Sequence, residues 1–417
     1  MMRFSYLSRL SHALALVLFV GWSPQAAATA SSNSEQDDAA LTEDQLEVGR
    51  YLATAANCAG CHTVTNGERF AGGPPLQTTF GTLYGPNITP SVEHGIGRWT
   101  AADFWNAMHN GQAPDGTPFY PAFPYPQYTR MTRSDTDAIY AYLMSQPAAD
   151  TPSRSHELHF PYNQRRLLTV WRAMYFEPGI LEADPAHDQI WNRGRYLVEG
   201  VGHCAACHTP RNRWAANDLR RSFQGAGMMD SNWYATALTG DVSGLGKWST
   251  DDIVQLLRTG SSRHGTAAGP MAEVVSDSTQ YLDNQDLNAI AIYLKSLPPG
   301  RQSPSLSLPS EAAMSVGSRL YEQHCVVCHQ ASGEGSPPAW PPLAGNPSVL
   351  AESPGNVVQM ILKGGYAPTT RSVPKPHGMP PFHGLSDNDI AALATYIRNS
   401  WGNEASPVSP HEVPPLR

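Results

Sequence analysis

Apolar residues recur at helical spacing in three similar segments of the chain, residues 137–143, 286–294 and 389–397. Each segment begins with an aspartate and places alanine, isoleucine or leucine, and tyrosine along one face. A spacing of three to four residues predicts an amphipathic α-helix that buries this face. The pattern therefore predicts three similar helices, one near the end of each of three repeats.

Each repeat also opens with an amphipathic segment that carries a glycine, at Gly49, Gly194 and Gly317. A residue without a side chain allows another helix to approach closely. A middle helix follows in each repeat, with a capping-type residue at its start and a glycine at its end. The middle helices are predicted within residues 99–111, 248–260 and 353–364.

The length and composition of the chain agree with several small units. The chain has 417 residues, only 15% of them charged, with 36 prolines and 35 glycines. One hydrophobic core rarely organises so many residues, and plentiful proline and glycine indicate long loops. We define the first, second and third repeats as residues 41–147, 187–298 and 311–401. A connector with a short helix (148–186), a proline-rich linker (299–310) and a polar tail (402–417) complete the predicted division.

All six cysteines fall in three copies of the motif C-x-x-C-H. Two thiols one helical turn apart can each add to a vinyl group of one haem, and the adjacent histidine then reaches the iron. The sequence thus predicts three covalently bound haem c groups. The predicted haem-binding residues are Cys58, Cys61, His62, Cys204, Cys207, His208, Cys325, Cys328 and His329.

Other uses of cysteine fit the spacing less well. An even cysteine count in a secreted chain first indicates disulfides, but here no cysteine lies outside the repeated motif. A zinc ribbon needs paired C-x-x-C units, and three is an odd number. A thioredoxin-like motif does not explain the histidine that follows each time.

Three helices around a covalent haem resemble the plan of a class I cytochrome c domain. We therefore expect an all-α fold of three tandem domains of this kind, in which the haem supplies much of the apolar core. A loop methionine before the closing helix would complete the iron ligands, and a thioether raises the reduction potential. Met379 and Met271 occupy such loops in the third and second repeats.

The first repeat offers a less regular choice of sixth ligand. The position that matches Met271 is Phe123, which cannot bind iron. Met131 is the next methionine along the same loop and is the predicted ligand; an open or histidine-filled site is the alternative. Met108 and Met144 lie within predicted helices and are interpreted as core residues.

Several polar residues near the motifs have weaker assignments. His94, His109 and His264 are interpreted as exposed or hydrogen-bonded histidines rather than iron ligands. Four arginines are either partners of haem propionates or solvated surface residues: Arg165, Arg166, Arg211 and Arg213.

The first 28 residues have the character of a secretory signal peptide. Arg3 and Arg9 precede an apolar run, and small residues follow it. The run is shorter than the roughly 20 residues that span a bilayer. A periplasmic protein, soluble or peripherally attached to the outer face of the inner membrane, is therefore expected. The net charge of −8 argues against nucleic-acid binding.

Residues 85–90, 95–99, 120–125 and 160–172 resemble the trihaem cytochrome c subunit of membrane-bound periplasmic dehydrogenases, and the likeness extends over residues 41–401. The resemblance implies a catalytic partner subunit that is a quinoprotein, flavoprotein or molybdoprotein and oxidises an alcohol, gluconate, sorbitol or an aldehyde. It also implies ubiquinone or a terminal oxidase as electron acceptor. The three motifs, Met379, Met271 and Met131 carry over as haem ligands.

Electron transfer is the leading functional hypothesis, because three haems in one chain form a relay and no pair of general base and nucleophile stands out. The alternatives are a redox enzyme of peroxidase or thiosulfate-oxidising type that uses an open first haem, and a free periplasmic electron shuttle.

Overall fold

A computed structural model describes residues 43–229, 231–300 and 307–416. The predicted signal peptide, residues 1–28, lies outside the described residues. None of the helices in the described ranges is long and apolar enough to cross a membrane. The described chain is mainly helical, and short antiparallel strand pairs, which the all-α expectation did not include, lie in its loops.

The first repeat and the connector contain six helices and three strands among the described residues. In chain order they are α1 (Glu43–Ala55), α2 (Cys58–His62), β1 (Pro75–Thr78), β2 (Gly81–Tyr84), α3 (Ala101–Asn110), α4 (Tyr125–Tyr128), α5 (Arg133–Met144), β3 (Glu157–Leu158) and α6 (Leu167–Tyr175). Strands β1 and β2 form a hairpin, and β3 of the connector pairs with β2. The buried Asn87 also donates hydrogen bonds to the carbonyl oxygens of Ala149 and Thr151, which holds the connector against the first repeat.

The second repeat follows a similar order. Its elements are α7 (Gln189–Tyr196), a π-helical turn (Leu197–Val201), α8 (Ala205–His208), a 3₁₀ turn (Leu219–Arg221), β4 (Ala226–Gly227), β5 (Tyr234–Ala235), α9 (Thr250–Thr259), β6 (Ser261–Ser262), β7 (Gly265–Thr266), α10 (Pro270–Asp277), a 3₁₀ turn (Thr279–Tyr281) and α11 (Asn284–Ser296). Strand β4 pairs with β5, and β6 with β7.

The third repeat has the same opening and closing helices. Its elements are α12 (Glu311–His324), α13 (Val326–His329), α14 (Pro347–Leu350), α15 (Gly355–Lys363), β8 (Gly365–Tyr366), β9 (Gly378–Met379) and α16 (Asp387–Arg398), followed by 3₁₀ turns at Pro410–Glu412 and Pro414–Leu416. Strands β8 and β9 pair with each other.

The opening and closing helices pack on each other in every repeat: α1 on α5, α7 on α11, and α12 on α16. A glycine makes each contact close. A Cβ atom at Gly49 would lie 2.0 Å from the Ala138 carbonyl oxygen, and one at Gly194 would lie 2.0 Å from that of Ala289. At Gly317 the corresponding distance, to the carbonyl oxygen of Ala392, is 2.3 Å. Backbone therefore meets backbone at the helix crossing.

Local sequence signals set the helix ends. Each closing helix starts after a residue whose side chain accepts a hydrogen bond from the backbone N–H three positions on, and these caps are Thr132, Asp283 and Ser386. Helices α3 and α9 begin with full capping boxes. They end at Gly111 and Gly260, both in the left-handed region, as the sequence predicts.

The first two repeats share one hydrophobic core, whereas the third has its own. Reciprocal contacts join the pair. The Tyr51 hydroxyl of the first repeat donates to the Asp286 carboxylate at the start of α11, 2.7 Å away. The Tyr196 hydroxyl of the second repeat donates to Asp135 at the start of α5. The two tyrosines hold matching positions, so the same contact occurs in both directions, as across a two-fold axis.

The third repeat adjoins the second through other residues. The side-chain amide of Asn356, on α15, makes two hydrogen bonds to the backbone of Tyr234, each 2.8 Å long. It accepts one from the Tyr234 N–H and donates one to the Tyr234 carbonyl oxygen. The backbone N–H of Arg371 donates to the side chain of Gln280. Neither contact involves the opening or closing helices: the first joins α15 to β5, and the second joins the loop before β9 to the 3₁₀ turn before α11.

The tail beyond residue 401, polar in composition, packs against the closing helix. Val408 and Val413 belong to the third core, and the Val408 N–H donates to the Thr395 hydroxyl. The Arg398 side chain is buried and donates to the carbonyl oxygens of Ser406 and Val349. Burial lowers the pKa of Arg398 to about 10, which still leaves it charged at neutral pH.

We expect Gly49→Ala and Gly194→Ala to destabilise the protein by about 1–3 kcal/mol each, because the new methyl group overlaps a backbone carbonyl at the helix crossing. Chemical denaturation of the haem-loaded protein measures the effect. Gly179→Ala is the control, since a Cβ there meets nothing within 4 Å. Equal stability of all three variants would contradict the close-packing argument.

Asp286 gives a prediction for pH dependence. Burial alone raises the pKa of this carboxyl, but hydrogen bonds from Arg193 and Tyr51 outweigh burial and hold the pKa below its usual value. The stabilisation that the ionised Asp286 carboxylate gives to the folded protein is therefore complete above pH ~4, the ordinary pKa of an aspartate. It is lost as the pH falls through the lower pKa that this carboxyl has in the folded state.

We expect Asp286→Asn to cost about 1–3 kcal/mol of unfolding free energy at pH 7 and less in strong acid. Unfolding of variant and wild type at both pH values measures the difference. Asp389→Asn changes the matching residue of the third repeat, whose carboxylate accepts from the Ser386 hydroxyl, and serves as control. A cost at Asp286 that does not shrink in acid would show that its charge is not involved.

Candidate haem sites

The three C-x-x-C-H motifs form short helices directly after the opening helices. Helix α2 contains Cys58–His62, α8 contains Ala205–His208 and α13 contains Val326–His329. All six cysteines lie in the described part of the chain, and none forms a disulfide there. A helical turn places the two thiols of each motif on one face, with the histidine beside them. This is the arrangement that covalent attachment of one haem requires.

Each motif histidine is oriented by a backbone carbonyl. The Nδ1 atom lies 2.7 Å from the Pro86 oxygen in His62, 2.6 Å from the Thr236 oxygen in His208 and 3.0 Å from the Pro341 oxygen in His329. A hydrogen bond from Nδ1–H to a carbonyl fixes the tautomer and leaves Nε2 available to a metal. Burial also lowers the pKa of all three histidines, so the imidazoles are neutral.

Glycines shape the loop that carries the Pro86 carbonyl. A Cβ at Gly73 or at Gly85 would lie 1.8 Å from the carbonyl oxygen of Cys61. The loop therefore passes directly over the attachment helix, a path that only glycine permits. The Gly72 N–H donates to the His62 carbonyl oxygen, and Gly225 and Gly335 make the same bond to His208 and His329.

Burial also affects the thiols. It raises the pKa of the Cys58 and Cys204 thiols to about 12 and that of Cys325 to about 11, each with a smaller contribution from the second thiol of the motif. These three thiols are therefore protonated at neutral pH in the haem-free chain. A protonated thiol beside a neutral imidazole suits covalent haem attachment better than a zinc site built from thiolates.

The predicted methionine ligands differ in burial. Met271 lies in the first turn of α10 and Met379 in β9, and both are partly buried against the cores of their repeats. Met131, by contrast, has no exposed surface and belongs to the core that the first two repeats share. Met108 is buried on α3, in agreement with its interpretation as a core residue.

The three histidines outside the motifs have other partners. His94 Nε2 lies 3.2 Å from the Asp150 carboxylate, and His264 Nε2 lies 3.2 Å from that of Asp252. The His109 ring stacks on Trp105. These contacts agree with the interpretation of hydrogen-bonded or surface histidines.

Three of the four arginines considered as propionate partners contact protein groups. Arg165 donates to the Pro118 carbonyl oxygen, and Arg211 to the carbonyl oxygens of Ala215 and Ala206. Arg213 stacks on Trp214. Arg211 and Arg213 also line a cavity of about 700 Å³, together with Phe80 of the first repeat and Glu352 of the third.

The structure adds a residue that the sequence did not single out, His203. It immediately precedes Cys204, and its Nε2 lies 3.3 Å from the carbonyl oxygen of Ala56, two residues before Cys58. The Tyr128 hydroxyl donates to the same oxygen, and its ring packs edge-on against His203. Helix α10, with Met271, also contacts α2. The first two C-x-x-C-H motifs are therefore direct neighbours.

The backbone has an unusual conformation at this contact. Asn57 and His203 hold the same position before their motifs, and both have positive φ, 49° and 40° respectively. A polar residue in that conformation often marks a functional or strained position. Nothing in the sequence, however, shows that one repeat contacts the other there.

These features define a c-type cytochrome assembled from repeated haem-binding units. A family model described as cytochrome c matches residues 46–147, 192–298 and 315–401. The chain is 40% identical over 399 residues to the cytochrome c subunit of a quinone-type alcohol dehydrogenase from Gluconacetobacter polyoxogenes. The aligned region covers 91% of this chain and 84% of that protein.

Two further relatives are subunits of other dehydrogenases. The gluconate 2-dehydrogenase cytochrome c subunit of Pantoea cypripedii is 37% identical, covering 91% of this chain and 92% of that protein. The fructose dehydrogenase cytochrome subunit of Gluconobacter japonicus is 35% identical, with 92% and 85% covered. The chain belongs to the cytochrome c family, in the group of dehydrogenase cytochrome c subunits, and is thus an electron-transfer protein with covalently bound haem c.

Proposed function

We propose that this chain is the electron-transfer subunit of a periplasmic dehydrogenase complex and carries three haems. The observation that carries the proposal is the threefold motif in which a histidine, oriented through Nδ1, stands beside two cysteines. In this proposal residues 41–147, 187–298 and 311–401 are tandem class I cytochrome c domains. Residues 148–186 and 299–310 connect them, and 402–417 follow the last domain.

The proposed cofactor sites use residues named above. One haem is held by Cys58, Cys61 and His62, the second by Cys204, Cys207 and His208, and the third by Cys325, Cys328 and His329. Met271 and Met379 are the proposed sixth ligands of the second and third irons. For the first iron the sequence predicts Met131, with an open or histidine-filled site as the alternative. When bound, a haem takes up and releases one electron at a time.

The protein contributes position and environment to the relay. The close contact between His203 and Ala56 supports electron exchange between the first two haems, because it joins the residues next to both attachment motifs. The shared core and the reciprocal tyrosine contacts fix the separation of these sites. The neutral, carbonyl-bound imidazoles and the partly buried Met271 and Met379 would shield the irons from water and tune their potentials.

The partners follow from the relatives. Those relatives are cytochrome subunits of alcohol, gluconate and fructose dehydrogenases, so we propose a catalytic dehydrogenase subunit, a quinoprotein, flavoprotein or molybdoprotein, as electron donor. Ubiquinone or a terminal oxidase is the proposed acceptor. Substrate oxidation belongs to the catalytic subunit and not to this chain. The predicted signal peptide supports a periplasmic location with peripheral attachment to the inner membrane.

Purification of the complex tests the proposed function. We expect the chain to co-purify with a larger catalytic subunit and its haems to be reduced when the substrate of that subunit is added. The mass of the denatured chain should exceed that of the mature polypeptide by three haems. Isolation of the chain alone, with haems that no dehydrogenase substrate reduces, would support a free shuttle instead.

The proposed methionine ligands give a spectroscopic prediction. We expect Met271→Leu and Met379→Leu each to lower the reduction potential of one haem, because the thioether favours reduced iron. Potentiometric titration followed by visible absorption measures the change, and each variant should retain three covalent haems. Met108→Leu is the control, since Met108 lies on α3 where the second repeat has the core residue Leu257. Unchanged potentials in the first two variants would remove both assignments.

A further inference from the structure

The residue two positions before each closing helix has the same place in all three repeats. These residues are Met131, Leu282 and Leu385, and each is followed at once by the N-cap of its helix. Each also closes the same type of turn, because its N–H donates to the carbonyl oxygen three residues earlier, over 3.0, 3.2 and 3.0 Å respectively. Met131 thus stands where the other two repeats have leucine.

The surroundings of Met131 also match those of a core residue. Its exposed fraction is 0%, against 7% for Leu282. A Cβ built at Gly200, in the π-helical turn of the second repeat, would lie 3.9 Å from the Met131 Cγ. The side chain therefore packs into the core between the first two repeats. Met271 and Met379, in contrast, lie earlier in their loops and are only partly buried.

Phe123 holds the loop position that Met271 holds in the second repeat. Its ring is partly buried and lies 5.6 Å, centroid to centroid, from both Phe119 and Tyr128. Tyr128 in turn donates to the Ala56 carbonyl oxygen, next to the first attachment motif. Phe123 is therefore beside the first haem site, and its ring offers no atom that binds iron.

Nearby histidines are engaged elsewhere in the described part of the chain. His94 contacts Asp150, His109 stacks on Trp105 with its Nδ1 3.4 Å from the Thr129 hydroxyl, and His203 faces the Ala56 carbonyl oxygen. None of these histidines holds the loop position that Met271 has in the second repeat or Met379 in the third.

We propose that the iron of the first haem has no methionine ligand, that Phe123 lines its sixth side, and that this iron binds a small exogenous ligand such as carbon monoxide, nitric oxide or cyanide. The inference rests on the proposed attachment of a haem to Cys58, Cys61 and His62. A thioether ligand raises the reduction potential of a haem, so among three haems of similar burial the first would have the lowest reduction potential. An electron would then leave it readily for the second haem.

Carbon monoxide titration of the reduced, haem-loaded protein tests the inference. We expect about one carbon monoxide to bind per chain in the wild type, because one iron of three lacks a sixth protein ligand. Phe123→Met should abolish this binding, since it restores a thioether at the loop position. Phe123→Leu, which keeps the position apolar, should retain it and controls for changes in packing.

Met131→Leu separates the two assignments of the first iron. If Met131 is a core residue, the variant binds the same amount of carbon monoxide as the wild type. If Met131 is the ligand, the wild type binds none and the variant binds one per chain, which would overturn the inference. A wild type and a Met131→Leu variant that both bind none would also overturn it, because another group then fills the site.

The haem count distinguishes failure of the inference from failure of the proposed function. The mass of each denatured variant gives the number of covalent haems independently of carbon monoxide. Three haems without carbon monoxide binding contradict the open first iron and leave the relay intact. Fewer than three haems contradict the trihaem relay itself. The comparison of wild type with Met131→Leu remains decisive where Phe123→Met does not fold.

Discussion

The contact of a glycine in the opening helix with a carbonyl of the closing helix determines most of the structure. Gly49, Gly194 and Gly317 bring two helices together with no side chain between them. A crossing this close holds the opening helix against the closing helix, and the C-x-x-C-H motif follows the opening helix directly or after a short turn. The position of the thiols and of the histidine therefore depends on a residue that has no side chain.

A second constraint is the pairing of the first two repeats. Tyr51 and Tyr196 each reach the start of the closing helix in the other repeat, and His203 meets the segment before Cys58. In the third repeat Arg319 takes the sequence position of these tyrosines, and this repeat contacts the second through Asn356 of α15 instead. The three repeats are thus similar units in an unequal arrangement, in which one pair shares a core.

The sequence predicted the repeated elements well because their signals are local. Helical periodicity, capping residues and terminal glycines all lie within a single turn of the element they define. The contacts between repeats were not predicted, since Tyr51 and Asp286 are far apart in the chain and neither is unusual for its position. Met131 illustrates a related limit. It is the next methionine in the loop after Phe123, but the turn that aligns it with Leu282 and Leu385 depends on where the closing helix begins.

The shared core has a consequence for maturation of the protein. In the proposed relay each haem would complete the apolar interior of its own unit, but the first two interiors are continuous, with Met131 and Val198 both fully buried in the same cluster. A chain that lacks either of these haems would expose apolar surface in both repeats and become a substrate for proteases. Loss of one haem of this pair would therefore affect both repeats, whereas the core of the third repeat is separate.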